Sequence, residues 1–165
     1  VRLRDAIKHQ ALMVFNERVD VALACGADGV QLAEDALPVS VTRRLVDNGV
    51  LIGKSVHSVE SAVMAVEQGA DFLVVGTIYE TRSKPDTNAQ GLELLRDVGK
   101  QVNVPYLAIG GINEGNVAQT IEAGATGVAV ISALLDVPDT RTVALKLKAE
   151  LDRSWAHRLR MKGLV

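Results

Sequence analysis

The sequence predicts an α/β fold of the (β/α)8 barrel type, and three observations support this prediction. One segment pattern occurs three times, as ALACGADGVQL, AVEQGADFLVVG and TIEAGATGVAVI. Six short apolar runs alternate with helical patterns, as they do in parallel α/β proteins. Nearly every apolar run ends in polar or glycine-rich residues, which favours a barrel over an open doubly wound sheet with its single switch point.

The elements follow one another in a regular order. In each repeat a helical stretch ends at Gly26, Gly69 or Gly124, and a strand follows, because glycine adopts the left-handed conformation without steric cost. The apolar runs predict strands at Ala11–Phe15, Gly29–Ala33, Leu51–Ser55, Phe72–Gly76, Tyr106–Ile109 and Gly127–Ile131. Helical patterns lie at Arg2–Lys8 and near Val19–Ala24, Val39–Asn48, Val59–Gln68, Gly91–Gln101, Asn116–Ala123 and Thr140–Arg153. Since a closed barrel has eight units, we expect residues 1–165 to form a single barrel domain without its first two strands and first helix.

Composition excludes several classes of function. The net charge of −2 gives no reason to expect nucleic acid or a membrane surface as a partner, and only 3% of the residues are aromatic. The single cysteine excludes an internal disulfide. We therefore expect a cytoplasmic enzyme; the sequence leaves its oligomeric state open, a homo-oligomer included.

The last two predicted strands end in a pattern that suits a phosphate group. Tyr106–Ile109 runs into Gly110-Gly111, and Gly127–Ile131 runs into Ser132, where a new helical pattern begins. Such an edge offers backbone N–H groups and the partial positive charge of a helix N-terminus. The sequence thus predicts a site for a small phosphorylated molecule.

Acidic and amide side chains follow the first two predicted strands. Asn16 and Glu17 come after the first strand, where they could coordinate Mg²⁺ together with ligand phosphates. Glu17 could equally pair with Arg18 or cap the next helix. Glu34 and Asp35 form a second acidic point for the same metal, or a solvated loop.

Two further groups of polar residues lie at predicted strand ends. Ser55 and His57 resemble a nucleophile and its base, but they lack an acidic partner and a nucleophile elbow, so a phosphate contact by Ser55 is favoured. The loop that contains Thr81, Ser83 and Lys84 could hold a diphosphate through its hydroxyls and its cation, or could be a solvated loop.

From about Ala11 to Leu135 the chain resembles the superfamily of thiamine phosphate synthases and thiazole tautomerases, which are TIM barrels. The resemblance covers NERVDVALACGADGVQL, IGKSVHSVESAVMAVEQGADFLVVGTIYETRSK, and the segment from IGGIN through GATGVAVISAL. It implies that the phosphate of a thiazole phosphate binds at backbone groups of Gly110, Gly111, Ile131 and Ser132. This agrees with the site predicted from the strand ends.

The synthases of this superfamily join hydroxymethylpyrimidine diphosphate to thiazole phosphate and release diphosphate with the help of Mg²⁺. The resemblance implies diphosphate and metal contacts at Asn16, Ser55 and Lys84, and hydroxyl contacts at Thr81 and Ser83. We assign the catalytic roles to Ser55, His57 and Lys84.

This chain departs from the synthase pattern at three positions. The first Mg²⁺ aspartate of the family falls at Glu17, which keeps a carboxylate. The second falls at Ala36, so that only Asp35 or Glu34 could replace it; we take Glu17 and Asp35 as the metal ligands. The usual histidine of the second strand is Gln31.

A tautomerase and a non-catalytic phosphate-binding relative are the alternatives. The histidine of the tautomerases corresponds to Thr77, so isomerisation would lose its usual proton carrier unless His57 serves. We therefore favour the synthase and place Thr77 among the substrate contacts. The altered acidic pattern motivates the non-catalytic alternative.

Overall fold

A computed structural model describes residues 2–7, 10–81, 88–161 and 163, and in them helices alternate with six strands. The strands are β1 (Val14–Asn16), β2 (Gly29–Leu32), β3 (Leu51–Val56), β4 (Phe72–Val75), β5 (Tyr106–Ile109) and β6 (Gly127–Ala129). The helices are α1 (Arg2–Ile7), α2 (Val19–Ala24), α3 (Val39–Arg43), α4 (Val59–Glu67), α5 (Gly91–Gln101), α6 (Val117–Glu122), α7 (Ser132–Leu135) and α8 (Thr140–Met161). None of the helices in these ranges combines the length and the apolar character needed to cross a bilayer.

The strand order confirms the predicted fold class. All neighbouring strands pair in parallel, and their order in the sheet is the order in the chain, β1 to β6. A doubly wound sheet reverses its order at a switch point, whereas a barrel adds each strand to the same side of the preceding one. The sheet therefore consists of six consecutive β/α units of the barrel type.

The threefold repeat marks the same junction each time. Gly26, Gly69 and Gly124 have φ angles of 60°, 95° and 122°, the left-handed conformation predicted for them. The polar residue after each Gly-Ala pair accepts a hydrogen bond from a backbone N–H at or just before the start of the preceding strand: Asp28 from Met13 (2.7 Å), Asp71 from Ile52 (2.7 Å) and Thr126 from Tyr106 (2.8 Å). The repeated polar residue thus joins adjacent strands at their amino ends.

The two faces of the sheet differ in burial because side chains alternate along each strand. One face packs against the helices, and its residues Val30, Leu32, Ile52, Leu73 and Val75 have no exposed surface. The opposite face contains Gln31, Ser55 and Ile109, which are only partly buried. The first face forms the hydrophobic core, which leaves the second face for a site.

Some element boundaries differ from those predicted. β1 begins three residues later than predicted and β6 ends two residues earlier, while α3 stops at Arg43. The last helix continues to Met161 rather than Arg153, and tertiary contacts account for the extension. Arg158 donates to the carbonyl oxygens of Ile121, Gly124 and Ala125, and the Trp155 indole donates to that of Thr126. These contacts cannot be read from the local sequence pattern.

Candidate active site

A cavity of about 160 Å³ opens at the carboxyl ends of β3 to β6. Its walls include eight of the residues that the sequence predicted for the site: Ser55, His57, Thr77, Thr81, Gly110, Gly111, Ile131 and Ser132. The remainder of the lining is formed mainly by apolar side chains, namely Val74, Ile109, Ile112, Ala129 and Val130. The structure therefore brings residues from four strand ends into one concave site.

Glycines form one corner of this cavity for a steric reason. Gly110 and Gly111 have φ angles of 101° and 64°, which disfavour any residue with a Cβ atom. A Cβ atom on Gly111 would also lie 2.7 Å from Cβ of Tyr79 and even closer to the carbonyl oxygen of Glu80. The backbone itself thus forms this wall of the cavity.

Hydrogen bonds hold the peptide groups of this corner in place. The carbonyl oxygen of Gly110 accepts from the Tyr79 N–H at 3.1 Å, and that of Gly111 accepts from the Asn116 side chain at 3.0 Å. Opposite them, Ser132 begins α7, and the first N–H groups of a helix have no partner within the helix. The corner has the features that the sequence predicted for binding a phosphate.

A second hollow adjoins the cavity and contains acidic residues. Ala33, Glu34, Asp35, Ser55 and His57 line it, so that Ser55 and His57 face both spaces. Nδ1 of His57 lies 2.7 Å from Oε2 of Glu34, and the next residue, Ser58, caps α4. The acidic loop after β2 is thereby placed beside Ser55 and His57 at the edge of the cavity.

Lys54 supports this acidic loop and is a site residue that was not predicted from the sequence. Its ammonium group donates to the carbonyl oxygens of Ala33 (2.7 Å) and Glu34 (3.0 Å). Burial lowers the pKa of Lys54 from its ordinary value, although the nearby charges of Glu34 and Asp35 oppose this shift. A lysine in the middle of a mostly apolar strand was the available signal.

The residues at the end of β1 lie apart from these two spaces. Asn16 and Glu17 are exposed, and neither lines the cavity or the adjoining hollow. Glu17 has a φ of 61°, and its N–H donates to the carbonyl oxygen of Gln31 at 2.8 Å. Arg18 forms its ion pair with Asp20, and this hydrogen-bonded guanidinium lowers the pKa of Asp20 to about 2. Across the described residues, no three His, Cys, Asp or Glu side chains form a cluster that could hold a metal ion.

Two predicted site residues, Ser83 and Lys84, lie outside the described residues. Thr81, which precedes them, is described and lines the cavity.

Comparison with known proteins identifies the family. The family model described as thiamine monophosphate synthase matches residues 2–134. This chain belongs to the thiamine monophosphate synthase family. The resemblance inferred from the sequence is confirmed, and with it the assignment to a transferase family of thiamine biosynthesis.

Individual relatives cover nearly the whole chain. It is 44% identical over 151 residues to a thiamine-phosphate synthase of Chloroflexus aurantiacus, covering 90% of this chain and 69% of the relative. It is 41% identical over 141 residues to a thiamine-phosphate synthase of Pyrococcus furiosus, covering 86% of this chain and 68% of the relative. Among solved structures, thiamine phosphate pyrophosphorylase from Pyrococcus furiosus superposes with a TM-score of 0.85 at 38% identity, covering 92% of this chain and 73% of that one.

Proposed function

We propose that this protein is a thiamine phosphate synthase, which joins hydroxymethylpyrimidine diphosphate to thiazole phosphate and releases diphosphate in the cytoplasm. The observation that carries the proposal is the cavity in which the glycine corner, Ser132 and Ser55 meet, in a chain whose relatives bear this name. The glycine corner is suited to the phosphate of thiazole phosphate, and Ser55 is placed for the diphosphate of the other substrate.

The apolar walls of the cavity suit the chemistry of this reaction. The bond between the pyrimidine methylene carbon and the diphosphate oxygen breaks, and its electron pair leaves on the diphosphate. The thiazole ring then supplies the electron pair of the new bond. Val74, Ile109 and Val130 line the space in which the carbocation-like pyrimidine would form, and such walls exclude the water that would otherwise capture it.

Mg²⁺ fits the acidic side of the site as the diphosphate partner. The ion is usually held by one or two carboxylates, with substrate phosphates and water completing its octahedron, so a cluster of three protein ligands is not required. Asp35 lines the hollow next to Ser55 and is proposed as the protein ligand, whereas Glu17, the other ligand expected from the sequence, does not line this hollow. When bound there, the ion would neutralise charge on the departing diphosphate.

Three assays on one preparation test the proposal. A synthase releases diphosphate only when both substrates and Mg²⁺ are present. Isomerisation of the thiazole phosphate carboxylate without metal would instead indicate a tautomerase, with His57 as the proton carrier because Thr77 cannot act as a base near neutral pH. Binding of thiazole phosphate with neither activity would indicate a non-catalytic relative and would overturn the proposal.

Lys84→Ala tests the assignment of the diphosphate contact. Loss of a charge-assisted contact is expected to lower kcat/KM for the pyrimidine diphosphate about 30-fold. Binding of thiazole phosphate, measured by calorimetry, should change less than about twofold because the glycine corner holds it. Lys100→Ala, which removes an exposed lysine paired with Asp97, is the control for loss of a positive charge. If Lys84→Ala weakened the interaction with both substrates equally, this role would be contradicted.

Lys54→Met tests whether the acidic loop holds the metal. Without the ammonium group, the carbonyl oxygen of Glu34 loses this donor and that of Ala33 keeps only the Ala36 N–H, so the loop is held less firmly beside Ser55. We expect the Mg²⁺ concentration for half-maximal activity to rise about tenfold or more, because hydrogen bonds from a charged donor are lost. Lys54→Arg keeps the charge and the donors, so its Mg²⁺ requirement should be close to that of the unsubstituted protein. An unchanged Mg²⁺ requirement in Lys54→Met would show that this loop does not hold the metal.

A further inference from the structure

The side chain of Gln31 extends from β2 toward the site, and its amide orientation is fixed. Its Nε2 atom lies 3.2 Å from the carbonyl oxygen of Leu32 and 3.0 Å from Oγ of Ser55. A backbone carbonyl oxygen only accepts hydrogen bonds, so the amide atom that faces it must be the nitrogen. The second hydrogen of that nitrogen is then donated to Ser55.

The direction of this hydrogen bond determines what Ser55 can do. Its oxygen accepts from Gln31, so its own hydrogen is available to another acceptor. Ser55 lines both the cavity and the acidic hollow. We propose that Gln31 is a positioning residue that holds the Ser55 hydroxyl as a hydrogen-bond donor to the diphosphate group of the substrate. This inference rests on the proposed function for the identity of the anion.

The surroundings of the amide support a functional reason for this arrangement. Within the described part of the chain, Oε1 of Gln31 is buried and accepts no hydrogen bond. A buried acceptor without a partner is unfavourable, so stability alone does not explain the glutamine. Gly53 makes room for it, because a Cβ atom there would collide with Oε1 of Gln31 and with the ring of Phe72. The space around the side chain accommodates an amide whose nitrogen is turned toward Ser55.

Inorganic diphosphate is the probe for this inference, and its binding to the chain of residues 1–165 is measured by calorimetry. Gln31→Met keeps the length of the side chain and removes the donor, and we expect about fivefold weaker binding because the Ser55 hydroxyl can then rotate. Gln31→Glu should weaken binding more than about tenfold, because the carboxylate accepts the Ser55 hydrogen and repels the anion. In a Ser55→Ala background, Gln31→Met should have no further effect. Melting temperatures confirm that each variant is folded.

Two results would overturn the inference. One is unchanged diphosphate binding in folded Gln31→Met. The other is an equal weakening by Gln31→Met with and without the Ser55 hydroxyl, which would show that Gln31 acts independently of Ser55. If the protein makes no thiamine phosphate but its diphosphate binding still depends on Gln31 through Ser55, the proposed function fails and the positioning role stands.

Discussion

Gly111→Ala is expected to weaken the binding of thiazole phosphate more than about 100-fold, because the loss of two hydrogen bonds to a charged phosphate costs about 3 kcal/mol or more. A methyl group at this position would overlap the carbonyl oxygen of Glu80 and lie 2.7 Å from Cβ of Tyr79. Both contacts belong to the segment just before Thr81, so the glycine corner and residues Tyr79 and Glu80 cannot both keep their positions. Titration calorimetry with thiazole phosphate measures the change.

Gly26→Ala is the matched control for backbone strain. Its φ of 60° is close to the 64° of Gly111, but a Cβ atom there would meet nothing within 4 Å. Both substitutions force alanine into the left-handed conformation, which costs about 1 kcal/mol of stability. We expect Gly26→Ala to bind thiazole phosphate normally. If the two variants lose the same affinity, the effect comes from backbone strain and the phosphate corner is misplaced.

Asp71→Ala is expected to lower the free energy of unfolding by about 3 kcal/mol, the upper end of the range for leaving a buried donor unpaired. Oδ2 of Asp71 accepts the Ile52 N–H at 2.7 Å and the Arg43 guanidinium at 2.5 Å. Arg43 also donates to the carbonyl oxygens of Val50 and Gly69. The Asp71 carboxylate therefore holds a guanidinium group that links α3 to the connections before β3 and before β4. Urea unfolding measures the loss.

Two variants separate the loss of the acceptor for the Ile52 N–H from the loss of negative charge. Asp71→Asn keeps an acceptor for the Ile52 N–H and loses the charge, so its stability should lie between those of the unsubstituted protein and Asp71→Ala. Asp20→Ala removes a carboxylate whose ion pair with Arg18 is exposed, and such pairs contribute less than about 1 kcal/mol. Equal destabilisation by Asp20→Ala and Asp71→Ala would show that the contacts of Asp71 with Ile52 and Arg43 have no special role.

The sequence predicted the glycine corner and the repeat because both depend on local chemistry. A left-handed residue at Gly26, Gly69 and Gly124 is a property of each short segment, and the six strands followed from their apolar runs. The predicted boundaries of β1, β6 and α8 were less accurate. Contacts such as those of Arg158 come from residues more than 30 positions away.

The sequence alone determined the order of the β/α units, the strand ends that carry polar residues and the family to which they belong, because each of these depends on neighbouring residues or on a linear motif. Only the tertiary structure decided that Gln31 donates to Ser55, that His57 faces Glu34 and that Lys54 holds the acidic loop. The register between β2 and β3 sets these three contacts. Residues more than 20 positions apart in the chain meet there because parallel pairing brings the same ends of both strands together.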